Sequence, residues 1–151
     1  MIKAKDIANL RNETGAGVMD CKKALIKANG NKERALKILQ ALGKDKAKKR
    51  TDRMTEQGLI ECYVHKGSRI GVMVEVVCET DFVARTDDFK KLAHNIAMQV
   101  ASMGPKNVKE LLGQIFIFDD KKKISDLVEE VITKTGEKCE IKRFERFELG
   151  G

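Results

Sequence analysis

The thiol and imidazole side chains of this 151-residue chain, the groups best suited to soft-metal ligation and to nucleophilic or acid–base work near neutral pH, are four cysteines and two histidines. Cys21, Cys62, Cys78 and Cys139 stand far apart, with no Cys-x-x-Cys pair and no histidine cluster, so their spacing indicates neither a zinc site nor a redox motif. In a reducing compartment such residues serve as small apolar side chains, and all four are expected in the core, Cys62 and Cys78 inside strand-like runs. His65 and His94 have no recognisable nucleophile beside them, and His94 shares a helix face with Lys90, Lys91 and Met98, which reads as surface. The chain has no GxxxxGK[ST] phosphate loop, no paired metal-ligand motif and no catalytic triad. An enzyme reading thus has no residue to stand on, and no catalytic residue, cofactor or metal is expected.

Two further patterns could do non-covalent chemistry. Residues 1–55 hold 15 Lys+Arg against 6 Asp+Glu, whereas residues 56–151 hold 15 against 17, so the net charge of +7 sits in the first third. Lys44, Lys46, Lys48, Lys49, Arg50 and Arg53 crowd one segment and could neutralise phosphates. No aromatic residue accompanies them, so bases would have nothing to stack on, and a solvated helix face or linker is the simpler reading. The second pattern is Thr80-Asp81-Phe82-Val83, a large apolar side chain at a polar junction. A core residue plugging the end of a sheet and an exposed interface anchor both fit, and periodicity leaves the two open.

The elements that must hold these residues follow from apolar spacing. Ile2, Ile7 and Leu10 suggest a helix ending by Glu13; Gly15 and Gly17 break it; Asp20 is placed to cap a second helix carrying Leu25 and Ile26. Asn29-Gly30-Asn31 stops that helix and caps a third, in which Ala35, Leu36, Ile38, Leu39 and Leu42 recur at helical spacing up to Gly43. This gives a three-helix module over 1–43, small enough to be of marginal stability. A basic linker over 44–57 follows, then an α+β core over 58–151. Leu59 to Val64 and Ile70 to Cys78 flank a Lys66-Gly67-Ser68-Arg69 turn and read as a hairpin. Phe89, Leu92, Ala93, Ile96, Ala97, Val100 and Met103 form a helix capped by Thr86 or Asp87 and stopped at Gly104-Pro105. Further helices open at Val108 and carry Ile124, Leu127, Val128, Val131 and Ile132. Glu137 to Phe147 is a third strand, where the three-residue spacing of Ile141, Phe144 and Phe147 calls for a bulge or a frayed end.

At 42% hydrophobic and 35% charged, without an apolar run near the ~20 residues of a membrane span and without a secretory-type amino terminus, the chain reads as globular and cytoplasmic. The segments LRNETGAGVMDCKKAL (10–25) and CETDFVAR (78–85), with YVHKGSRIGV (63–72) and GEKCEIKRFERFELG (136–150), resemble the elongation factor Ts family over almost the whole length. That resemblance implies a ubiquitin-associated-like three-helix module joined to a core with a three-stranded antiparallel sheet. It also implies guanine-nucleotide exchange on elongation factor Tu during translation, without covalent chemistry. The single core copy resembles the short members of the family, in which a homodimer stands in for a tandem repeat. In the family the Asp-Phe pair enters the partner's GTPase domain, the ring wedging between helices near the Mg²⁺ and phosphate region; here the pair is Asp81 and Phe82. Arg11, Val18, Met19 and Lys22 match module positions that touch the same partner, and His65 and Gly136 match core positions at its interface. Val18 stands where members often carry methionine, and Thr135 where they carry isoleucine. An RNA-binding basic domain and a ubiquitin-type adaptor are the competing classes, with bare-RNA affinity or ubiquitin binding as their marks.

Overall fold

The central strand of the sheet explains most of the core. In the computed structural model, which describes residues 2–151, Val72, Val74, Val76 and Cys78 alternate along β2 (Ile70–Cys78) and all point to one buried face. β1 (Gln57–Val64) and β5 (Cys139–Glu148) pair with it on either side, both antiparallel, in the order β1-β2-β5. The fold is thus α+β, with helices flanking a three-stranded antiparallel sheet.

The principal cover is α5 (Asp87–Met103), whose Phe89, Leu92, Ala93, Ile96, Ala97 and Val100 lie against the valines of β2. Each large side chain buried there is worth roughly 1.5–3 kcal/mol. Thr86 caps this helix by accepting the Phe89 amide at 3.3 Å, and Gly104 in the left-handed region ends it. The buried Gln99 fixes a small arm to α5: it donates to the Ile115 carbonyl at 3.0 Å and accepts the Ile117 amide at 2.9 Å. α6 (Val108–Gly113) leads into this arm, the hairpin β3 (Ile115–Phe116) and β4 (Asp119–Lys123), and α7 (Ile124–Thr135) follows. The arm was absent from the sequence expectation because β4, Asp-Asp-Lys-Lys-Lys, has no apolar alternation at all.

The uneven spacing in the last strand is a bulge. Glu75 pairs with Arg143 and Val76 with Ile141, so Lys142 is the extra residue, and Ile141 and Phe144 both reach the core while Phe147 faces out.

A second cluster, Leu10, Ala16, Cys21, Ala24, Leu25, Ala28, Ala35 and Leu39, is shared by α1 (Ala4–Thr14), α2 (Val18–Lys27) and α3 (Lys32–Lys49). Met1, with which the expected first part opens, lies outside the described residues. Two boundaries differ from expectation. Gly17, not Asp20, is the N-cap of α2; Asp20 sits inside its first turn and pairs with Lys46 at 2.5 Å. And α3 does not stop at Gly43 but runs to Lys49, so the first six residues of the expected linker, 44–49, are helix. Gly43 is buried within that helix, where a Cβ would lie 2.8 Å from Thr133 Oγ1 of α7. The glycine permits close approach of two helices; it is not a stop signal.

Candidate partner-binding site

Asp81 and Phe82 open α4 (Asp81–Ala84), a single helical turn between β2 and α5. Val83 and Ala84 turn into the core, which forces the preceding side chain outward: the Phe82 ring is 78% exposed. The plug reading is thereby excluded. Asp81 pairs with Arg85 at 2.8 Å, one turn on, in an exposed geometry worth little to stability.

A turn this short cannot hold itself, since a helix of one turn does not repay its nucleation. Its orientation comes from Thr80, whose hydroxyl caps Val83 at 3.4 Å, and from the corner between α7 and β5. There Gly136, at φ 74°, ends α7 in the left-handed conformation and its amide bonds the Ile132 carbonyl at 2.8 Å. The turn brings Glu137 beside Thr80: Oε1 accepts the Thr80 amide at 3.0 Å and Oε2 the Thr80 hydroxyl at 2.7 Å. In return the Lys138 amide donates to Glu79 Oε1 at 2.7 Å. Burial alone would raise the Glu79 carboxyl, but the Lys138 amide and the Arg53 guanidinium, 3.1 Å away, hold it below the usual carboxylate range. Lys138 Nζ also donates to the Thr51 carbonyl at 2.8 Å, tying the segment after α3 to the same corner.

Beneath the corner lie the last paired residues of β2 and β5, Cys78 and Cys139. Burial pushes the first thiol up to about 11 and the second up to about 12, so both are protonated at neutral pH and donate, Cys78 to the Thr80 carbonyl at 3.1 Å and Cys139 to that of Glu137 at 3.7 Å. Cys21 is buried as well, but Cys62 is exposed, contrary to expectation, because its position on β1 alternates to the outer face.

Of the other expected site residues, Gly136 is adjacent to the Phe82 corner through Glu137. His65 is not: it sits in the β1–β2 turn, and the nine residues of β2 separate it from Thr80, roughly 30 Å of strand. Its Nδ1 lies 3.0 Å from the Tyr63 hydroxyl, and Tyr63 also meets His94 edge-on. Arg11, Val18, Met19 and Lys22 are exposed on α1 and α2, Val18 and Met19 by 49% and 59%. Their module rests on α7. Gly15, between α1 and α2, leaves no room for a side chain above Lys134 in the last turn of α7, and a cleft of about 240 Å³ lined largely by polar side chains follows the seam. Within the basic segment, Lys46 and Arg53 are engaged by Asp20 and Glu79.

Sequence reasoning missed the roles of Thr80 and Glu137; it expected one incompletely covered sheet face but did not name the residues that line it. Thr80 had a signal, a hydroxyl residue directly before a short helix; Glu137 had none, since it acts across 57 positions of sequence. On the outer face Ile60, Val64, Met73 and Phe147 are 58%, 63%, 53% and 74% exposed. Register places Val64, Gly71 and Phe147 in one row and Cys62, Met73 and Glu145 in the next.

The comparison with known proteins decides the family. A factor from Thermotoga sp. (strain RQ2), named Elongation factor Ts, is 42% identical over 95% of this chain and 94% of its own. The chain belongs to the elongation factor Ts family. The family model, Elongation factor TS, matches residues 79–151. Relatives of the same name in Moorella thermoacetica and Thermosipho melanesiensis are 40% and 38% identical over 99% of the chain, covering 96% and 100% of their own lengths. The alignments run to 187 and 195 positions, more than the 151 residues here, so these relatives carry residues without a counterpart in this chain. The protein is accordingly a translation elongation factor. Among the described residues no three His, Cys, Asp or Glu are grouped to hold a metal, and no helix is long and apolar enough to cross a membrane.

Proposed function

We propose that this protein is a guanine-nucleotide exchange factor for elongation factor Tu that acts in the cytoplasm as a homodimer, by binding alone and without covalent chemistry. The observation that carries the proposal is Phe82, an aromatic ring 78% exposed on a braced single turn, within a family-matching CETDFVAR segment. Inserting such a ring into a partner yields roughly 1.5–3 kcal/mol, comparable to typical allosteric couplings of 1–3 kcal/mol. By linkage, whatever this protein takes from GDP affinity GDP takes from its own. Exchange therefore speeds release without choosing the incoming nucleotide.

In this reading Asp81 and Phe82 engage the partner's GTPase domain together with Gly136, while Arg11, Val18, Met19 and Lys22 of the module (1–43) make a second contact set. The segment 44–57 joins module to core (58–151), and His65 makes a separate contact at the far end of the sheet. The test is release of a fluorescent GDP from elongation factor Tu. Acceleration that saturates with this protein, and is suppressed by excess GDP with Mg²⁺, is the expected result. No acceleration at saturation overturns the reading; salt-sensitive binding to bare RNA in its place would assign Lys44 to Arg53 a phosphate-binding role.

A further inference from the structure

We infer that Glu137 is a positioning residue for the Phe82 anchor, an inference that rests on the exchange reading for its consequence but not for its geometry. The β2–β5 ladder ends at the pair Cys78 and Cys139. Beyond it two carboxylates replace the missing backbone bonds in opposite directions: Glu137 receives both donors of Thr80, and Glu79 receives the Lys138 amide. Thr80 is the N-cap of the turn that begins with Asp81 and Phe82. Its hydroxyl is oriented by donating to Glu137 Oε2, which leaves an oxygen lone pair for the Val83 amide. Removing the carboxylate frees the hydroxyl to rotate and leaves the Thr80 amide without its partner, so the cap weakens and the Phe82 ring loses its fixed direction. A ring that must enter a partner in one orientation then carries an added ordering cost on binding. Glu137 touches no partner in this account; it acts through Thr80.

The experiment compares the full-length protein with Glu137→Ala, Glu137→Gln, Phe82→Ala and the double variant Glu137→Ala/Phe82→Ala. In GDP release from elongation factor Tu, Glu137→Ala should lower exchange efficiency about tenfold, the scale of one charge-assisted hydrogen bond. Glu137→Gln, which can still accept one of the two bonds, should fall between it and the parent. In the Phe82→Ala background Glu137→Ala should cost nothing further, because there is no ring left to aim. Amide hydrogen exchange supplies an arm independent of the partner: the Thr80 and Val83 amides should lose protection in Glu137→Ala, while Val74 and Val76 in the sheet keep theirs. Unchanged protection at Thr80 and Val83 overturns the inference, as does a loss of exchange that adds in full to that of Phe82→Ala. If the parent protein releases no GDP, the exchange reading fails by itself, and the amide arm still decides whether Glu137 holds the turn.

Discussion

Phe82 and Cys62 are both exposed where an apolar side chain is ordinarily covered, and each exposure has a measurable consequence. Because the Phe82 ring buries little in the free protein, Phe82→Ala should change stability by no more than about 0.5 kcal/mol, the usual range for surface positions, while lowering the rate of GDP release at least tenfold. A thermal melt beside the release assay checks both halves; a melt lowered by many degrees would mean that the ring packs after all. The thiols separate in the same way. Burial raises Cys21, Cys78 and Cys139, so in dilute native protein at pH 8 a disulfide-exchange reagent should react first with one thiol per chain, Cys62, and with the remaining three on unfolding. Rapid native reaction of more than one thiol would contradict the burial described above. The CETDFVAR segment marked Phe82 as the candidate anchor, but the exposure of its ring was not legible in the sequence. It follows from Val83 and Ala84 being drawn inward, a fact of three-dimensional packing that a single-turn helix does not announce by periodicity.

Two contacts between elements hold the helical module and the Phe82 corner to the core, and both can be loosened selectively. At the crossing of α3 and α7, Gly43 faces Thr133 Oγ1, so Gly43→Ala trades a gain of about 1 kcal/mol in helix propensity against a steric clash. Adding Thr133→Ala removes the obstacle, and the double variant should melt above Gly43→Ala alone; equal melts would show that α3 and α7 do not press on each other. At the corner, Glu79 has a carboxyl held below its ordinary value. Its contribution is complete above the unfolded-state pKa of about 4.3 and disappears as pH falls through the lower folded value. The difference in melting temperature between the parent and Glu79→Gln should therefore be largest near neutrality and shrink as the pH falls below the ordinary carboxylate range, and a difference that grows on acidification would reverse the assignment. The longer helices and the first hairpin were legible because they show the period of their kind, 3.6 along Phe89 to Val100 and two along Val72 to Cys78, and the third strand was legible despite its broken alternation. What escaped was set by tertiary contact. Gly43 reads locally as a stop signal and is in fact a contact glycine, Lys142 is spent in a bulge, and Asp119 to Lys123 pairs as a strand through its backbone alone.

For the molecule as a whole, the decisive asymmetry is between the two faces of the sheet. One is covered by α5 and α7; the other presents Ile60, Val64, Met73 and Phe147 to solvent, with Cys62 among them and the Arg143–Glu75 ion pair, at 2.5 Å, beside Ile60. Contiguous apolar surface of this kind is uncommon on a monomer and marks an interface. A second copy suits it because two such faces can stack as sheets about 10 Å apart, and the polar row of Glu75 and Arg143 would close its rim. A mass of about twice 16.9 kDa by light scattering at micromolar concentration is the expected result. Met73→Lys sets a charge in the middle of the face without touching the core, so it should give a folded monomer of unchanged helix and strand content. Cys62 reports the same event from within: its reaction with a thiol reagent should slow as the parent protein is concentrated and should remain fast in Met73→Lys. A monomer mass at every concentration, with GDP release intact, would mean that one sheet suffices for exchange and that the open face has another occupant.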